Sequence, residues 1–547
     1  MSAAQRNGPD FVSALAVAVG AWLRLDQIAG QVVANDEWHA LNTLVRQDYR
    51  WIFTHFGISD FSIPLTLYDK LLGDTVGLTE IGVRAPMLVA GIASLVVLPL
   101  LLRIYIGRSA SAAFAWLLAI SPLHIYFSRY ARPYALSLLL AFVGVIALER
   151  WIATGRPKWA VACVASSVLA PWLHPIFLPF TLASFVWFGA TRWLARRRPE
   201  MADEVTRGPG SLWPVALGTA VGLAVLIGPP LWVDLTSLRA HSGGPSGDFA
   251  PWMKSFELLS GTSGTLLGLG VWLTLFLGVI ALRRKCARFA GYLAFLIACQ
   301  VAAVLVSGPA GLGIPIVTVR YTLCALVAVL ALAAAGMEHL DETLRMKWRA
   351  IPPHVSTAVI GVSLLAFSPL RAIYYHPNNW TNDDAFQSDY SRFYSHEYAK
   401  RWVKLQEVPP FYLRVARDSS ADECIVEAPW NYEWNHLPYP FFQRIHHRQT
   451  IIGFVGRPGA RVPLGELPWP DARFRFRGFV HVSDLAAMRA RGVRYLLLHR
   501  DPTYVIEDGM HPGLADVEYW IRDLKARVGT PAYEDDGMCV FDLKQPE

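Results

Sequence analysis

The sequence predicts a polytopic α-helical membrane protein that ends in a water-soluble α/β domain, and three observations predict it. Of 547 residues 53% are hydrophobic and only 17% charged, with 20 Trp, a balance too apolar for one soluble core of this length. Apolar runs of about 20 residues, the length that crosses a bilayer, recur between residues 11 and 375. Beyond residue 376 the long runs stop, and short β-type segments alternate with amphipathic helical ones. The chain therefore divides into a membrane part, 1–375, and a soluble part, 376–547. The formal net charge of +7 comes mainly from Lys and Arg in short loops between apolar spans, a pattern that reports membrane orientation and excludes a nucleic-acid partner.

The predicted spans lie near 11–31, 82–106, 111–128, 133–152, 159–171, 173–194, 213–233, 263–282, 288–307, 319–339 and 354–375, about eleven helices in all. Pro171 and Pro175 separate the fifth from the sixth, so a tight hairpin is expected there. With the N-terminus inside, the cytoplasmic loops hold Arg103 and Arg108; Arg156 and Lys158; Arg192 and Arg196 to Arg198; Arg283, Arg284, Lys285 and Arg288; and Arg345, Lys347 and Arg349. This orientation puts the loop of residues 32–81 and the C-terminal part on the outer side. The first run does not read as a cleaved signal peptide, because Arg24 and Asp26 interrupt it and no clean A-x-A site follows. The expected location is a bacterial plasma membrane.

In the C-terminal part Glu423 to Glu427, Thr450 to Val455, Val493 to Leu498 and Met538 to Leu543 read as strands, and Ser391 to Leu405 and Ala515 to Val528 as helices. Ser483-Asp484 reads as a helix start and Gly492 as its stop. Four of the six cysteines lie in or beside apolar spans. Cys424 and Cys539 share the outer part, either as a disulfide or as two separate buried thiols. No CxxC or HExxH metal pattern occurs, and His436, His446 and His447 read as surface or core histidines because their spacing does not suit a metal.

Chemistry-bearing residues gather on the outer side. Asn35-Asp36-Glu37 follows the first span directly, and two adjacent carboxylates where a membrane helix meets water mark a functional site. The rest of that loop interleaves aromatic and polar residues (Trp38, His39, Tyr49, Trp51, Phe53, Phe56, then Asp60 to Leu65 and Tyr68), which predicts short helices lying in the interface. Spans three and four are joined by Ser121-Pro122-Leu123-His124-Ile125-Tyr126-Phe127-Ser128-Arg129-Tyr130-Ala131-Arg132-Pro133-Tyr134. Pro133 biases Arg132 away from helix and suits the first turn of the next span, so Arg132 stands beside a positive helix N-terminus, a place that favours an anion. Arg320, in Val319-Arg320-Tyr321, opens the tenth span on the same face. The plain alternative for each Arg is snorkelling to lipid phosphates, and for Asp36 and Glu37 the capping of an interfacial helix.

These motifs resemble those of the GT-C membrane glycosyltransferases, in particular the family 39 group typified by protein O-mannosyltransferases and lipid A aminoarabinose transferases. The resemblance is strongest over residues 11 to 195. An acidic pair in the first outer loop is matched by Asp36-Glu37. A Ser/Asn-Pro-x-x-x-x-x-Ser-x-x-x-Arg-x-Tyr-Ala-Leu stretch is matched by Ser121 to Leu136. The family's His-Pro-Pro-Leu-like element departs here to Ser62-Ile63-Pro64-Leu65.

The resemblance implies a GT-C fold and an inverting hexosyl- or pentosyltransferase that moves a sugar from a polyprenyl-phosphate donor to an extracytoplasmic protein, lipid or envelope glycan. Asp36 would act as general base, with Glu37 orienting the acceptor or pairing with an Arg. Arg132, Arg320, Arg129 and Tyr134 would hold the donor phosphate, and His39, Asp60 and Tyr321 would line the acceptor side of the cavity. No cofactor is required, since arginines can do at the phosphate what a divalent metal does elsewhere. A transporter or lipid flippase is the other reading of so many spans, but no internal repeat with paired broken helices is present. Eleven spans also exceed what anchoring a binding module requires.

Overall fold

Apolarity alone would carry most of these helices on without interruption; proline, glycine and buried arginine decide where they stop. The computed structural model describes residues 11–26, 28, 37, 40–41, 43–44, 47–56, 62–198, 208–240, 250–262, 265–309, 312, 315–352, 354–368, 370, 409–417, 423–428, 442, 446, 448–450, 485–490, 492–500 and 514–544. The first helix, α1, is Phe11–Leu25. The loop that follows holds two short helices, α2 (Tyr49–Thr54) and α3 (Ile63–Thr75). Asp48 starts α2 by accepting the Trp51 N–H at 2.7 Å.

α4 (Glu80–Ile106) opens on Thr79, whose hydroxyl accepts the Gly82 N–H, and closes on Gly107 at φ +91°. α5 (Arg108–Ala119) and α6 (Pro122–Ser128), the expected third span, are bent by 60° at Ser121-Pro122. α7 (Tyr134–Thr154), α8 (Pro157–Leu173), a 3₁₀ turn at Pro175–Phe177 and α9 (Leu178–Arg197) follow. α10 (Leu212–Leu226) and α11 (Gly228–Ala240) meet at a 51° bend at Gly228-Pro229-Pro230. After α12 (Ala250–Ser260), α13 covers Thr265–Ser307 with one non-helical residue, Cys286, at φ −154° and ψ 73°. α14 (Pro315–Tyr321), α15 (Ala325–Lys347) and α16 (Val355–Phe367) complete the helical part.

Among the described residues three helices are long and apolar enough to cross a membrane, or five if each bent pair counts as one span, with α1 and α16 as shorter apolar helices. α13 is two helices that meet at a kink at Cys286, so the spans expected at 263–282 and 288–307 fall one on each side of it.

Arg24, which interrupts the first apolar run, is wholly buried. It donates to the carbonyls of Gly20 (2.7 Å), Ala119 and Leu118 (both 3.1 Å), and one nitrogen lies 2.6 Å from His124 Nδ1. A cation on the open carbonyls of the α5 C-terminus satisfies both parties. At the centre of the bundle α13 and α15 cross at Gly278 and Gly336, where a Cβ would run into the Leu332 and Thr274 carbonyls.

The C-terminal residues form a five-stranded mixed sheet in the order β2-β1-β3-β5-β4, with β1 Cys424–Ala428, β2 Gln449–Thr450, β3 Val493–His499, β4 Tyr533–Glu534 and β5 Met538–Asp542. β2, β1 and β3 are parallel; β5 runs antiparallel to β3 and to β4. Helices α17 (Pro410–Arg417), α18 (Leu485–Ala490) and α19 (Leu514–Val528) accompany the sheet. Cys424 lies opposite Val493 and Cys539 opposite Leu498, at the two ends of β3. Five residues of strand, about 16 Å, separate those registers, more than a disulfide can span. His446 stacks on Tyr412 and accepts the Arg448 N–H, a core histidine; His436, His447 and the helix expected at Ser391 to Leu405 lie outside the described residues. Leu41, Leu44, Leu78, Val83 and Ala131 belong to the same hydrophobic cluster as the sheet.

Candidate active site

The loop after α6 is built by its own backbone. The Arg132 N–H donates to the Tyr130 carbonyl (2.7 Å) and the Tyr134 N–H to the Arg132 carbonyl (2.8 Å), so two successive three-residue turns lead into α7 behind Pro133. Every residue from Ser121 to Ala135 is buried, which rules out snorkelling for Arg129 and Arg132. The two arginines nevertheless differ. Arg129 Nη1 donates to the carbonyls of Leu23, Arg24 and Asp26, the last at 2.6 Å, and so caps α1. That nitrogen serves three carbonyls at a helix end.

Arg132 keeps different company. Arg132 and Arg320 both act electrostatically on His174, in the turn between α8 and α9, and Tyr321 has Arg320, Tyr134 and Arg132 as electrostatic neighbours. The Tyr134 and His174 ring centroids are 5.3 Å apart, and the Arg320 guanidinium lies 5.4 Å from the Tyr321 ring. Gln300, on the second half of α13, holds the two sides together: its Nε2 donates to the Ile176 and Tyr321 carbonyls, both at 2.9 Å. Two cations, two phenols and an imidazole thus converge from α7, the α8–α9 turn and α14.

His174 is the residue sequence reasoning missed. Its Nδ1 accepts the Ile176 N–H at 3.3 Å, which leaves the ring neutral with its proton on Nε2. Burial first, and then the two neighbouring guanidinium groups, favour the same neutral form. The signal available was its place between Pro171 and Pro175, beside the expected hairpin. Asp69 is a second omission. It is buried on α3 one turn beyond Leu65, which packs with Ala135 and Met87 next to Tyr134.

Glu37 is buried as well. Arg84, itself wholly buried on α4, donates Nε to Oε1 (2.8 Å) and Nη2 to Oε2 (2.6 Å), and the Ala131 N–H donates to Oε1 at 2.7 Å. The second acid of the pair therefore ties its loop to α4 and to the turn that carries Arg132. Asp36, His39 and Asp60 lie outside the described residues. Among the described residues no group of three His, Cys, Asp or Glu side chains is arranged to hold a metal ion.

No family model and no curated protein matches the sequence, whereas solved structures do. ArnT from Cupriavidus metallidurans in the apo state aligns over 98% of this chain and 99% of its own, at TM-score 0.52 and 13% identity. ArnT from the same organism bound to undecaprenyl phosphate aligns over the same shares at TM-score 0.53 and 14% identity. The chain has the GT-C fold. At this identity the likeness speaks for the fold, and with the apolar helices it makes the chain an integral membrane protein. In this GT-C fold the Arg132–Arg320 cluster and the Glu37–Arg84 tie meet at one turn, residues 129–133, which joins α6 to α7.

Proposed function

We propose that this protein is an inverting glycosyltransferase that moves a sugar from a polyprenyl-phosphate donor to an acceptor on the outer side of the membrane. The observation that carries the proposal is the convergence of Arg132, Arg320, Tyr134, Tyr321 and neutral His174 beside the turn to which Glu37 ties the acidic loop. The ArnT structure with undecaprenyl phosphate, which shares this fold, supports a polyprenyl phosphate as leaving group.

The acceptor hydroxyl attacks the anomeric carbon from the face opposite the phosphate. The bond from that carbon to the phosphate oxygen breaks, its electron pair stays on the oxygen, and configuration inverts. A phosphodiester with one negative charge becomes a monoester with nearly two. Arg132 and Arg320 are set to meet that added charge in a buried site, where preorganised cations act most strongly. His174 adds an uncharged Nε2–H donor, and the tyrosines add hydroxyls. The acceptor proton goes to Asp36, the residue next to the anchored Glu37. Glu37 holds the loop and takes no proton. The C-terminal sheet, on this reading, is extracytoplasmic and contributes to acceptor choice.

The test is release of polyprenyl phosphate, measured by mass spectrometry, from a panel of polyprenyl-phosphate sugars offered to the protein in lipid nanodiscs with envelope extract as acceptor. Wild type should release it, Asp36→Asn should not, and Arg132→Ala should raise the donor KM at least tenfold. Release by Asp36→Asn at the wild-type rate would remove Asp36 as base. No release from any donor would end the proposal.

A further inference from the structure

Gln300 is the one polar side chain in the apolar stretch of α13 from Leu296 to Val304, and it is only 2% exposed. Its Nε2 donates to the Ile176 and Tyr321 carbonyls, both at 2.9 Å, which fixes the amide end for end, since the reverse placement would set an oxygen against two carbonyl oxygens. Both N–H groups are thus committed, and they hold the turn that carries His174 to the end of α14 that carries Arg320. Covalent geometry puts Oε1 about 2.2 Å from Nε2, hence within about 5 Å of both carbonyl oxygens. Among the described residues Oε1 has no hydrogen-bond partner. Ser137, one turn beyond Tyr134 on α7, carries a second buried hydroxyl without a partner among the described residues. A tie between two carbonyls needs donors only, so it accounts for the amide nitrogen of Gln300 and leaves the amide oxygen unexplained. A buried acceptor that meets no donor is unfavourable, most of all at membrane depth.

We infer that Gln300 determines donor specificity: its Oε1 accepts a hydrogen bond from one hydroxyl of the sugar on the polyprenyl-phosphate donor. The inference rests on the glycosyl-transfer proposal. Chemistry excludes the rest of that donor, because an ionised phosphodiester and a polyprenyl chain carry no N–H or O–H group to offer an acceptor oxygen. Geometry excludes the acceptor substrate. It attacks the anomeric carbon from the face opposite the phosphate, whereas Gln300 is tied to the segment of Arg320, on the phosphate side. The sugar is the part that remains, and it brings hydroxyls. A site that leaves a buried oxygen unpaired when one hydroxyl is missing rejects the deoxy sugar far more strongly than a site that merely fits its shape. A water molecule on Oε1 would satisfy the oxygen equally well and would give no such discrimination.

The test is a competition in nanodiscs between the donor that supports release and each monodeoxy analogue of its sugar. Each analogue is carried on a prenyl chain one isoprene unit longer, so the two released phosphates differ in mass. Their ratio reports relative kcat/KM and does not depend on how much of the protein is active. Wild type should prefer the parent sugar over one analogue by at least about tenfold. Gln300→Met, which removes the tie and the acceptor oxygen together, should bring that preference within about twofold of unity, whatever its overall rate. Gln300→Glu also disturbs the tie but keeps an acceptor oxygen, and should retain the preference. Discrimination by wild type against no analogue overturns the inference, a result that needs no variant. An undiminished preference in Gln300→Met would assign the hydroxyl to another group, and equal loss in both variants would reduce Gln300 to a tie; either overturns it. Release from no parent donor at all is a separate result, which ends the glycosyl-transfer proposal itself and this inference with it.

Discussion

Replacing Glu37 by Gln keeps the shape of the side chain and removes its charge, which separates holding from chemistry. In the folded protein the carboxylate receives three hydrogen bonds of 2.6 to 2.8 Å, two from a guanidinium with no exposure. Charge-assisted bonds of this kind contribute about 1.5–3 kcal/mol each, and stranding one partner of a buried ion pair costs about 3–5 kcal/mol. The pair joins a loop to two helices that are otherwise well packed, so the loss should fall mainly on the order of the loop. A loop destabilised by about 3 kcal/mol lowers the population of its productive arrangement by about 10²-fold once it falls below half-occupancy. Glu37→Gln should therefore lower kcat by one to two orders of magnitude in the nanodisc assay, with a smaller change in donor KM. Glu37→Gln/Arg84→Met removes the stranded cation as well, and apolar replacement of buried pairs is often neutral for stability. The double variant should regain thermal stability and part of the activity lost in the single one. A single variant within twofold of wild type in kcat would refute the anchoring argument, and a double variant as inactive as Asp36→Asn would give Glu37 a chemical role.

Three further outcomes follow from particular contacts. His174→Asn retains an N–H donor and should keep at least a tenth of wild-type kcat/KM, whereas His174→Ala should lose about 10²-fold with the pH profile unmoved between 6 and 8; a shifted profile would mean that the ring titrates in turnover. Gly336→Ala sets a methyl against the Thr274 carbonyl at the crossing of α13 and α15 and should destabilise by about 1–3 kcal/mol or more, read as a lower unfolding temperature; an unchanged temperature would place the two helices further apart. Burial pushes the Cys424 thiol up to about 11 and that of Cys539 up to about 12. Because both lie above the ordinary thiol value of 9.0, the stability they confer is complete below pH 9 and is lost as pH rises through the folded values. Both should resist maleimide at pH 8 until the sheet unfolds, and no peptide linking 424 to 539 should appear without reductant; rapid labelling or a linked peptide would contradict this.

The sequence made local features readable and hid those assembled at a distance. The sequence places the strands at 424–428, 493–499 and 538–542 within a residue or two, because a short apolar run between polar residues is a local property. Their order was not, since the placing of β3 between β1 and β5 is a matter of tertiary pairing. The turn at Arg132-Pro133-Tyr134 was readable from proline chemistry. That Arg129, three residues earlier, serves α1 was not, because its partners lie about a hundred positions away. His174 and Gln300 escape notice for the same reason: each is an isolated polar residue in apolar sequence, and its meaning comes from what it meets. The bend at Ser121-Pro122 was passed over because apolarity continues through it.

The joint between the loop after α1 and the C-terminal sheet yields a last prediction. Leu41 and Leu44 follow the acidic pair within seven residues, and both are buried in the cluster that contains Phe411, Tyr412 and the strands. Burying a leucine is worth about 1.5–3 kcal/mol, so withdrawing the C-terminal part would remove several kcal/mol from the packing of this loop while leaving the Glu37–Arg84 pair as its main tie. Ion pairing without apolar cover is weakened by water, which would now reach Arg84. A chain ending at residue 375 should therefore keep its membrane helices, judged by circular dichroism, and become sensitive to protease between residues 40 and 56. It should lose transfer to every acceptor, including simple ones that the C-terminal part would not need to recognise. Transfer to a simple acceptor at the full-length rate would refute this coupling and confine the sheet to acceptor recognition. Loss of transfer without new protease sensitivity would show that the sheet contributes groups to the reaction directly.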